Sequence, residues 1–399
     1  MTGKTERGKG RRNKRGRNGR MTVRGGEDGK RRRKRREHRW ERGRTGRGKG
    51  KADRRTESEE ERGRAGHGRE RCSKAEREGR KEEGKREMNQ TMDAIIPSYR
   101  PGEKFYRLLA MLKKQRLPLG KIIVVNTERR FFDEERAREA AGERLELHHI
   151  EKRDFDHGGS RNLGVSFSDS ELFLMLTDDA VPRSTELTER LSSAFLRGER
   201  IGAVYGRQLA TKESSFDERY ARRFNYPEQS FVKSIEDLPR LSIKTYFMSN
   251  VCCAYRRDLF DRLGGFPSPM IFNEDMVYAA RLLRLGYRIA YEAEAEVYHA
   301  HCYSGLQQLR RNFDLGVSQA EHPEIFSDLR PEGEGKRLIK GNLRELLREG
   351  RAWKIPALIW KSGCKYLGYL LGKNYRRLPG RLRSALSMNK GYWRRRGGK

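Results

Sequence analysis

Residues 172–182 have the sequence LFLMLTDDAVP, in which five apolar residues precede a threonine and two adjacent carboxylates. A short apolar run that ends in polar residues is typical of a strand buried on both faces of a sheet. Because ligands bind beyond the carboxyl ends of parallel strands, the two carboxylates are predicted to lie at a ligand-binding edge.

The same pattern extends in both directions along the chain. Further strands are predicted at residues 93–97, 121–125, 145–150 and 201–205. Amphipathic helices are predicted between the strands, at residues 103–115, 132–141, 158–167 and 184–196. Strands that alternate with helices indicate an α/β fold whose largely parallel sheet is covered on both faces.

After residue 211 the alternation weakens. Residues 211–245 carry two prolines and many charges, which predicts a long loop. Beyond this loop we expect a strand at 250–256, a helix at 274–285, a strand at 288–291 and helices after residue 335.

Residues 1–87 differ in composition from the rest. They hold 35 Lys and Arg against 16 Asp and Glu, so they carry +19 of the chain's net charge of +34. With almost no aliphatic residue to bury, this basic low-complexity tail is predicted to be disordered. Three interpretations stay open: a tail that binds nucleic acid or anionic lipid, an inert tail, or a misplaced start with the natural chain beginning at Met88 or Met92.

The cysteines and the apolar runs bear on the compartment. The chain has five cysteines, two of them adjacent and none in a CxxC pair, which argues against a disulfide framework or a structural zinc site. No apolar leader and no uncharged apolar run of about 18 residues is present in the sequence. These features predict a cytoplasmic protein.

Asp178 and Asp179 are the first candidate site residues. Directly after a buried strand, they can hold Mg²⁺ or Mn²⁺ through carboxylate oxygens, with a diphosphate completing the octahedron. The alternative is that one of them caps the helix that follows Pro182.

A glycine pair is the second candidate, within residues 154–162 of sequence DFDHGGSRN. At a helix start, Gly158 and Gly159 let backbone amides approach an anion, and His157 and Arg161 add donors for phosphate oxygens. The alternative is a glycine-bearing turn that only begins a helix.

Two more pairs follow. Glu274 and Asp275 begin a predicted helix, where either carboxylate can be a general base; acidic residues there also arise from dipole compensation. His299 and His301 are predicted on a strand, where residues two apart face the same way and can share a ligand.

In this order and spacing, the features resemble the family-2 inverting glycosyltransferases of GT-A fold, in particular the bacterial rhamnosyltransferase-like branch. IPSYR at residues 96–100 is similar to the family's IPTYN-type opening, and FDHGGSRN at 155–162 to the branch's FDHGGTRN signature. Residues 176–182 stand where the family has its DxD segment, and residues 273–275 where it has its ED motif. The resemblance covers nearly all of residues 92–393, and the joint occurrence of the motifs is highly specific.

The resemblance implies a GT-A architecture, which is a Rossmann-like nucleotide-binding half with a mixed, mostly parallel central sheet, followed by C-terminal helices. It divides the chain into the tail at 1–87, a glycosyltransferase domain at 88–330 and a basic helical extension at 331–399.

The resemblance also implies roles for single residues. Asp275 is expected to be the catalytic base, with Glu274 as its nearest competitor. A divalent metal, Mg²⁺ or Mn²⁺, is expected on Asp179 with His299 as second ligand, because Thr177 occupies the first DxD position. The implied donor-binding residues are Pro97, Tyr99, Asn126, His157, Gly158, Gly159, Arg161, Asn162 and Asp178. Asn126 replaces an acidic residue that often contacts the nucleoside, which is compatible with a thymidine donor.

The implied activity is inverting transfer of a sugar, rhamnose being one candidate, from a nucleoside-diphosphate donor to a hydroxyl of a glycan or lipid-linked glycan. A basic nucleic-acid-binding protein and an inactive scaffold are the alternatives; the core motifs count against the first, and the carboxylates and histidine against the second.

Residues 353–371 combine Trp, Tyr and Leu with a basic cluster that follows. Such a segment suits peripheral contact with the inner face of an anionic membrane, or else a helix packed on the catalytic domain.

Overall fold

A computed structural model describes residues 91–327, 329 and 332–397, so the predicted tail lies outside the described residues. Within these ranges nine strands form one sheet. The strands are β1 (Met92–Tyr99), β2 (Ile122–Thr127), β3 (Leu145–Ile150), β4 (Leu172–Leu176), β5 (Val181–Pro182), β6 (Ile201–Leu209), β7 (Phe231–Lys233), β8 (Cys252–Arg256) and β9 (Arg288–Tyr298).

The α-helices of the described residues fall into two groups, those that cover the sheet and those that follow it. The first group is α1 (Glu103–Lys113), α2 (Glu134–Ala141), α3 (His157–Ser166), α4 (Leu187–Ala194), α5 (Phe216–Asn225), α6 (Leu238–Leu241), α7 (Arg257–Arg262) and α8 (Glu274–Arg284). The second group is α9 (Gly305–Glu321), α10 (Pro323–Phe326), α11 (Glu332–Arg348), α12 (Ile355–Lys373), α13 (Gly380–Leu386) and α14 (Lys390–Gly397).

The sheet has the order β3-β2-β1-β4-β8-β6-β9-β5, and β7 pairs with β9. β1 is parallel to β2 and β4, β2 to β3, and β6 to β9, whereas β8 is antiparallel to β4 and β6. β5 and β7 are antiparallel to β9. Most strands therefore point the same way, and the predicted α/β fold with a mixed, mostly parallel sheet and C-terminal helices is confirmed.

Two apolar layers lie on opposite faces of the sheet, because successive residues of a strand point to opposite sides. Ile96 of β1 belongs to one layer together with Leu108 of α1. Ile95 belongs to the other layer, together with Val165 of α3 and Val277 of α8. Burial of each of these aliphatic side chains contributes about 1.5–3 kcal/mol to the free energy of unfolding.

The crevice that a ligand can enter is set by the strand order. The chain runs outward from β1 through β2 to β3 on one side, and β4 lies on the other side of β1. Helices attached to diverging strands leave a gap above the carboxyl ends at this point. The ends of β1 and β4 bring the segment that follows Leu176 to this gap.

Two predicted segments differ in the structure. Residues 211–245 are not one loop, because they contain α5, β7 and α6. α5 buries only Phe216, and it is stabilised by the Ser215 cap and the ion pair between Arg222 and Glu218. β9 continues to Tyr298 instead of ending at residue 291, although glutamates alternate along its second half.

The C-terminal helices pack on one another and on the segment before α8. α9 and α12 approach closely at glycines: a Cβ on Gly368 would lie 2.1 Å from the carbonyl oxygen of Leu309, and one on Gly372 would lie 2.1 Å from that of Phe313. Ser318 of α9 donates a hydrogen bond to the carbonyl oxygen of Phe272 (2.6 Å). These helices thereby support the backbone that leads into α8.

The cysteines and the lengths of the helices bear on disulfides and on membrane spans. The four cysteines in the described part of the chain are unpaired. No helix within the described ranges is long and apolar enough to cross a bilayer.

Candidate active site

Asp178 joins the ends of two strands. Its Oδ2 accepts hydrogen bonds from the Ser98 hydroxyl (3.2 Å) and from the Tyr99 backbone amide (3.3 Å), so the segment after β4 is tied to the end of β1. Burial, reinforced by the neighbouring Asp179 carboxylate, raises the pKa of Asp178 to about 6. The helix that follows is not capped by either aspartate, since the N-cap of α4 is Glu186.

Asp179 forms a cluster with two histidines. Its carboxylate oxygens lie 3.4 Å from Nε2 of His299 and 3.4 Å from Nε2 of His301. The ligand atoms of the three residues all lie within 4.8 Å of one another, a geometry that can hold a metal ion. The histidines follow the end of β9 rather than lying within it, and His301 joins the predicted pair Asp179 and His299.

The tautomer of His299 suits metal binding. Its Nδ1 donates to Oε1 of Gln208 (2.9 Å), which leaves the Nε2 lone pair directed to the cluster. Burial is the main cause that lowers the pKa of His299 well below its usual value, and it also lowers the pKa of His301. Two neutral imidazoles and one carboxylate are a chemically suitable ligand set for a divalent metal.

Glu274 and Asp275 begin α8 and share one neighbour. The backbone amide of Asn250 donates to Oδ2 of Asp275 (3.1 Å), and its side-chain amide donates to Oε1 of Glu274 (3.0 Å). The Tyr255 hydroxyl in turn donates to Oδ1 of Asn250 (2.6 Å) and fixes its orientation. Asn250 is absent from the predicted site; its local signal is the polar pair that it forms with Ser249, two residues before β8 begins.

The two adjacent carboxylates have opposite environments. Burial acts to raise the pKa of Glu274, but Arg161, whose Nη1 lies 3.3 Å from Oε1, and His157 outweigh it, so the pKa is lowered. For Asp275, burial and the Glu274 charge together raise the pKa to about 7. Paired titratable groups with pKa values pushed apart are typical of acid–base sites.

The glycine pair has a different role from the predicted one. Oδ1 of Asp156 accepts hydrogen bonds from the backbone amides of Gly158 (3.1 Å) and Gly159 (2.9 Å), so a protein carboxylate already caps the start of α3. A Cβ at Gly158 would lie 1.9 Å from the carbonyl oxygen of Pro267. Gly158 is therefore required by close packing, and the amides of both glycines are bonded to the Asp156 carboxylate.

Asn162 and Arg161 also serve the protein itself. The Asn162 side chain donates to the carbonyl oxygen of Phe266 and accepts from the Phe266 amide, both at 2.9 Å. Arg161 donates to the carbonyl oxygen of His157 (2.7 Å) as well as pairing with Glu274. This segment thus fixes the loop before α8. Arg161, which the sequence predicted to donate hydrogen bonds to phosphate oxygens, is paired with the Glu274 carboxylate.

The remaining predicted donor-binding residues lie at the ends of β1 and β2. Tyr99 is exposed, with the charged ends of Arg100 and Lys152 5.2 and 5.1 Å from its ring centroid. Pro97 is half-buried below it. Asn126 is fully buried, and its Nδ2 lies 3.0 Å from Nδ1 of His149, so it faces β3 rather than open solvent.

Gln208 connects the metal-binding cluster with the carboxylate pair. Besides accepting from His299, it donates to the Ser249 hydroxyl (3.0 Å), next to Asn250. The amide of Thr177 also donates to the carbonyl oxygen of Val251 (3.4 Å). Asp179, the two histidines, Glu274 and Asp275 therefore belong to one site.

Comparison with known proteins identifies the family of this chain. Residues 93–264 match the family model described as glycosyl transferase family 2. The O-antigen chain rhamnosyltransferase RfbN of Salmonella typhimurium is 38% identical over 301 residues, which cover 75% of this chain and 95% of RfbN. WbaN of Salmonella anatum, which bears the same description, is 41% identical over 246 residues, which cover 61% of this chain and 78% of WbaN.

A mannosyltransferase of Pyrobaculum calidifontis, solved with GDP-mannose and Mn²⁺, aligns over 78% of this chain and 86% of its own at 16% identity and a TM-score of 0.45. The sequence match to RfbN is decisive, because it spans nearly the whole relative at more than one identical residue in three. This chain therefore belongs to glycosyl transferase family 2, on its rhamnosyltransferase-like branch, and is a glycosyltransferase.

Proposed function

We propose that the chain transfers a sugar from a nucleoside-diphosphate donor to a hydroxyl group with inversion at the anomeric carbon. The observation that carries the proposal is Asp275, whose pKa is raised to about 7 in the same site as Asp179 and the two histidines. A base whose pKa lies near the working pH is both ionised and basic enough to accept a proton during attack.

The reaction is a single displacement. Asp275 accepts the proton of the acceptor hydroxyl while the hydroxyl oxygen bonds to the anomeric carbon. The bond from that carbon to the diphosphate oxygen breaks, and its electron pair leaves with the diphosphate. Glu274 remains ionised beside Arg161, so it tunes Asp275 rather than acting as the base.

The donor set supports a divalent metal held by Asp179, His299 and His301. Imidazole ligands suit a transition metal better than Mg²⁺, which favours Mn²⁺ of the two predicted ions. Such an ion, when bound, supplies positive charge for the diphosphate. The residues' own contribution is the neutral Nε2 of His299, oriented by Gln208.

We place the donor nucleoside against Tyr99. An exposed ring flanked by Arg100 and Lys152 offers a stacking surface for a base and positive charge for the adjoining phosphates. Asp178 connects the end of β1 with the metal-binding segment through hydrogen bonds. Pro97 and Asn126 contribute to the shape of the same edge of the sheet. His157, Gly158, Gly159, Arg161 and Asn162 act by positioning the loop and the carboxylates.

The names of the relatives support rhamnose as the sugar and a growing O-antigen chain, free or lipid-linked, as the acceptor. The test is a mass-spectrometric screen of nucleoside-diphosphate sugars with the purified full chain and glycan acceptors. We expect one donor to be consumed, with release of its nucleoside diphosphate, and consumption about 10²–10⁴-fold slower by Asp275→Asn. Equal consumption by that variant would overturn the mechanism.

The exposed face of α12 supports peripheral contact with an anionic membrane from the cytoplasmic side. Ile359, Trp360, Tyr366 and Leu367 are between 49% and 64% exposed, while Leu358, Cys364, Gly368 and Gly372 face the protein. Residues 350–399 contain 14 Lys and Arg and no Asp or Glu. Apolar and aromatic side chains beside uncompensated positive charge suit an anionic lipid surface.

Co-sedimentation with vesicles tests this contact. Leu367→Glu places a charge on the exposed face of α12, and Leu285→Glu is the matched control at an exposed leucine after α8. We expect phosphatidylglycerol vesicles to capture the wild type and the control at low salt, and to capture Leu367→Glu much less. Equal recovery of all three proteins in the supernatant would contradict membrane contact.

A further inference from the structure

Arg311 of α9 is an exposed arginine beside the candidate active site. Its guanidinium carbon lies 4.6 Å from the ring centroid of Phe272 and 5.8 Å from that of Tyr303. Among the described residues no ion pair joins Arg311 to a carboxylate. Two aromatic faces therefore hold this cation without neutralising it.

The two rings lead to opposite halves of the site. Phe272 stands two positions before Glu274, at the start of the segment that carries the carboxylate pair. Tyr303 stacks on His301, with ring centroids 5.0 Å apart and planes 29° from parallel. Arg311 is thus linked through Phe272 to the segment of the carboxylate pair and through Tyr303 to the metal-binding cluster.

The reach of the Arg311 charge agrees with this position. Burial is the main cause that lowers the pKa of His157, and the Arg311 charge acts in the same direction.

Three other arginines of this region have carboxylate partners. Arg161 pairs with Glu274, Arg222 with Glu218, and Arg207 with Glu228 and Glu296. The charge of Arg311 is available to a ligand, whereas the charges of these three arginines are compensated within the protein.

We propose that Arg311 is a further catalytic residue, which binds the diphosphate of the donor and stabilises the charge that develops as the diphosphate leaves. The inference rests on the proposed function and deepens it. When the bond between the anomeric carbon and the diphosphate oxygen breaks, the electron pair stays on the diphosphate, and the planar guanidinium can donate two hydrogen bonds to its oxygens. This assigns to Arg311 the role that the sequence suggested for Arg161.

The test compares Arg311→Ala and Arg311→Lys with Arg310→Ala in the full chain. Arg310 is the neighbouring exposed arginine on α9, with no ring beneath it among the described contacts, so it controls for the loss of one positive charge. Calorimetric titrations use dTDP, UDP and GDP in the presence of Mn²⁺, together with the corresponding monophosphates and nucleosides.

We expect Arg311→Ala to weaken the affinity for the preferred nucleoside diphosphate about 10–100-fold, as for loss of a charge-assisted hydrogen bond. Affinity for the nucleoside should stay unchanged, kcat should fall more than KM changes, and Arg311→Lys should recover part of the loss. Arg310→Ala should behave like the wild type. A purely structural role of Arg311 would not confine the loss to ligands with phosphates.

Two outcomes overturn the inference and leave the proposed function intact. One is equal binding of the diphosphate by Arg311→Ala and Arg310→Ala. The other is unchanged diphosphate affinity with a raised KM for a lipid-diphosphate acceptor, which would assign the cation to the acceptor. If the wild type itself bound no nucleoside diphosphate, the proposed function would fail together with the inference.

Discussion

Replacement of Asp275 by Asn tests the chemistry of the site most directly. The change keeps the size of the side chain and removes its basicity. Without a general base, turnover should fall about 10²–10⁴-fold. Affinity for the nucleoside diphosphate should change little, because Asp275 contacts Asn250 and the start of α8 and does not belong to the metal-binding cluster.

The pH dependence follows from the pKa of about 7 for Asp275. Only the ionised carboxylate can accept the proton, so the wild-type rate should be full above that pH. Below it, the rate should fall about tenfold per pH unit, since about one-tenth of the carboxylate is ionised at pH 6. The residual rate of the Asn variant should lack this acidic limb.

The same substitution has a predicted effect on stability. Because the pKa of Asp275 is raised on folding, the folded state retains a proton that the unfolded chain has already released, and stability is lost as pH rises from about 4 to about 7. At about 1.4 kcal/mol per pH unit, that interval corresponds to an upper limit of about 4 kcal/mol. Asp275→Asn removes the charge and so raises the free energy of unfolding at high pH. The variant also loses one accepted hydrogen bond, which lowers that free energy by about 1 kcal/mol.

Asp275→Asn should therefore melt at a higher temperature than the wild type at pH 8, and the difference should shrink as pH falls towards 5. Thermal melts and pH–rate profiles on the same preparations measure both effects. A near-normal turnover, or a variant less stable than the wild type at pH 8, would refute the assignment of Asp275 as a buried base.

Three further predictions concern the metal, the packing and the tail. Asp179→Ala should weaken binding of the nucleoside diphosphate more than His301→Ala does, and full activity after exhaustive chelation would contradict a metal at this cluster. Gly158→Ala should destabilise the fold by about 1–3 kcal/mol in denaturant titrations, because its Cβ would meet the Pro267 carbonyl, whereas the control Gly102→Ala has no neighbour within 4 Å. Deletion of residues 1–87 should leave kcat and KM unchanged, and lost activity would show that the tail takes part.

Local patterns in the sequence were sufficient for the fold class. The apolar run that ends at Leu176 and its counterparts before it identify the parallel half of the sheet, because the period of buried side chains is a property of each element alone. The prediction was wrong for α5, which lies in a segment of many charges, and for the second half of β9, where a partner elsewhere in the chain, Arg197, pairs with the buried Glu292.

The sequence also predicted candidate carboxylates and histidines, of which Asp179 and His299 lie side by side in the structure. Asp179, Asp275 and His299 were identifiable because their motifs keep a fixed order and spacing. Their environments were not identifiable, since the partner that sets a pKa can lie anywhere in the chain. Arg161 and Glu274, for example, are 113 positions apart and form one buried pair.

The composition, the strand pattern and the order of the motifs were thus determined by the sequence alone, because each depends on residues within one element or one short segment. Tertiary structure decided that Gly158 packs on a distant carbonyl, that Asn250 holds both carboxylates, and that Arg311 has no carboxylate partner among the described residues. These roles depend on which surfaces meet when the sheet and the C-terminal helices pack. The role of a buried hydrogen-bond donor, of a charge or of a glycine depends on the atoms that tertiary packing places next to it.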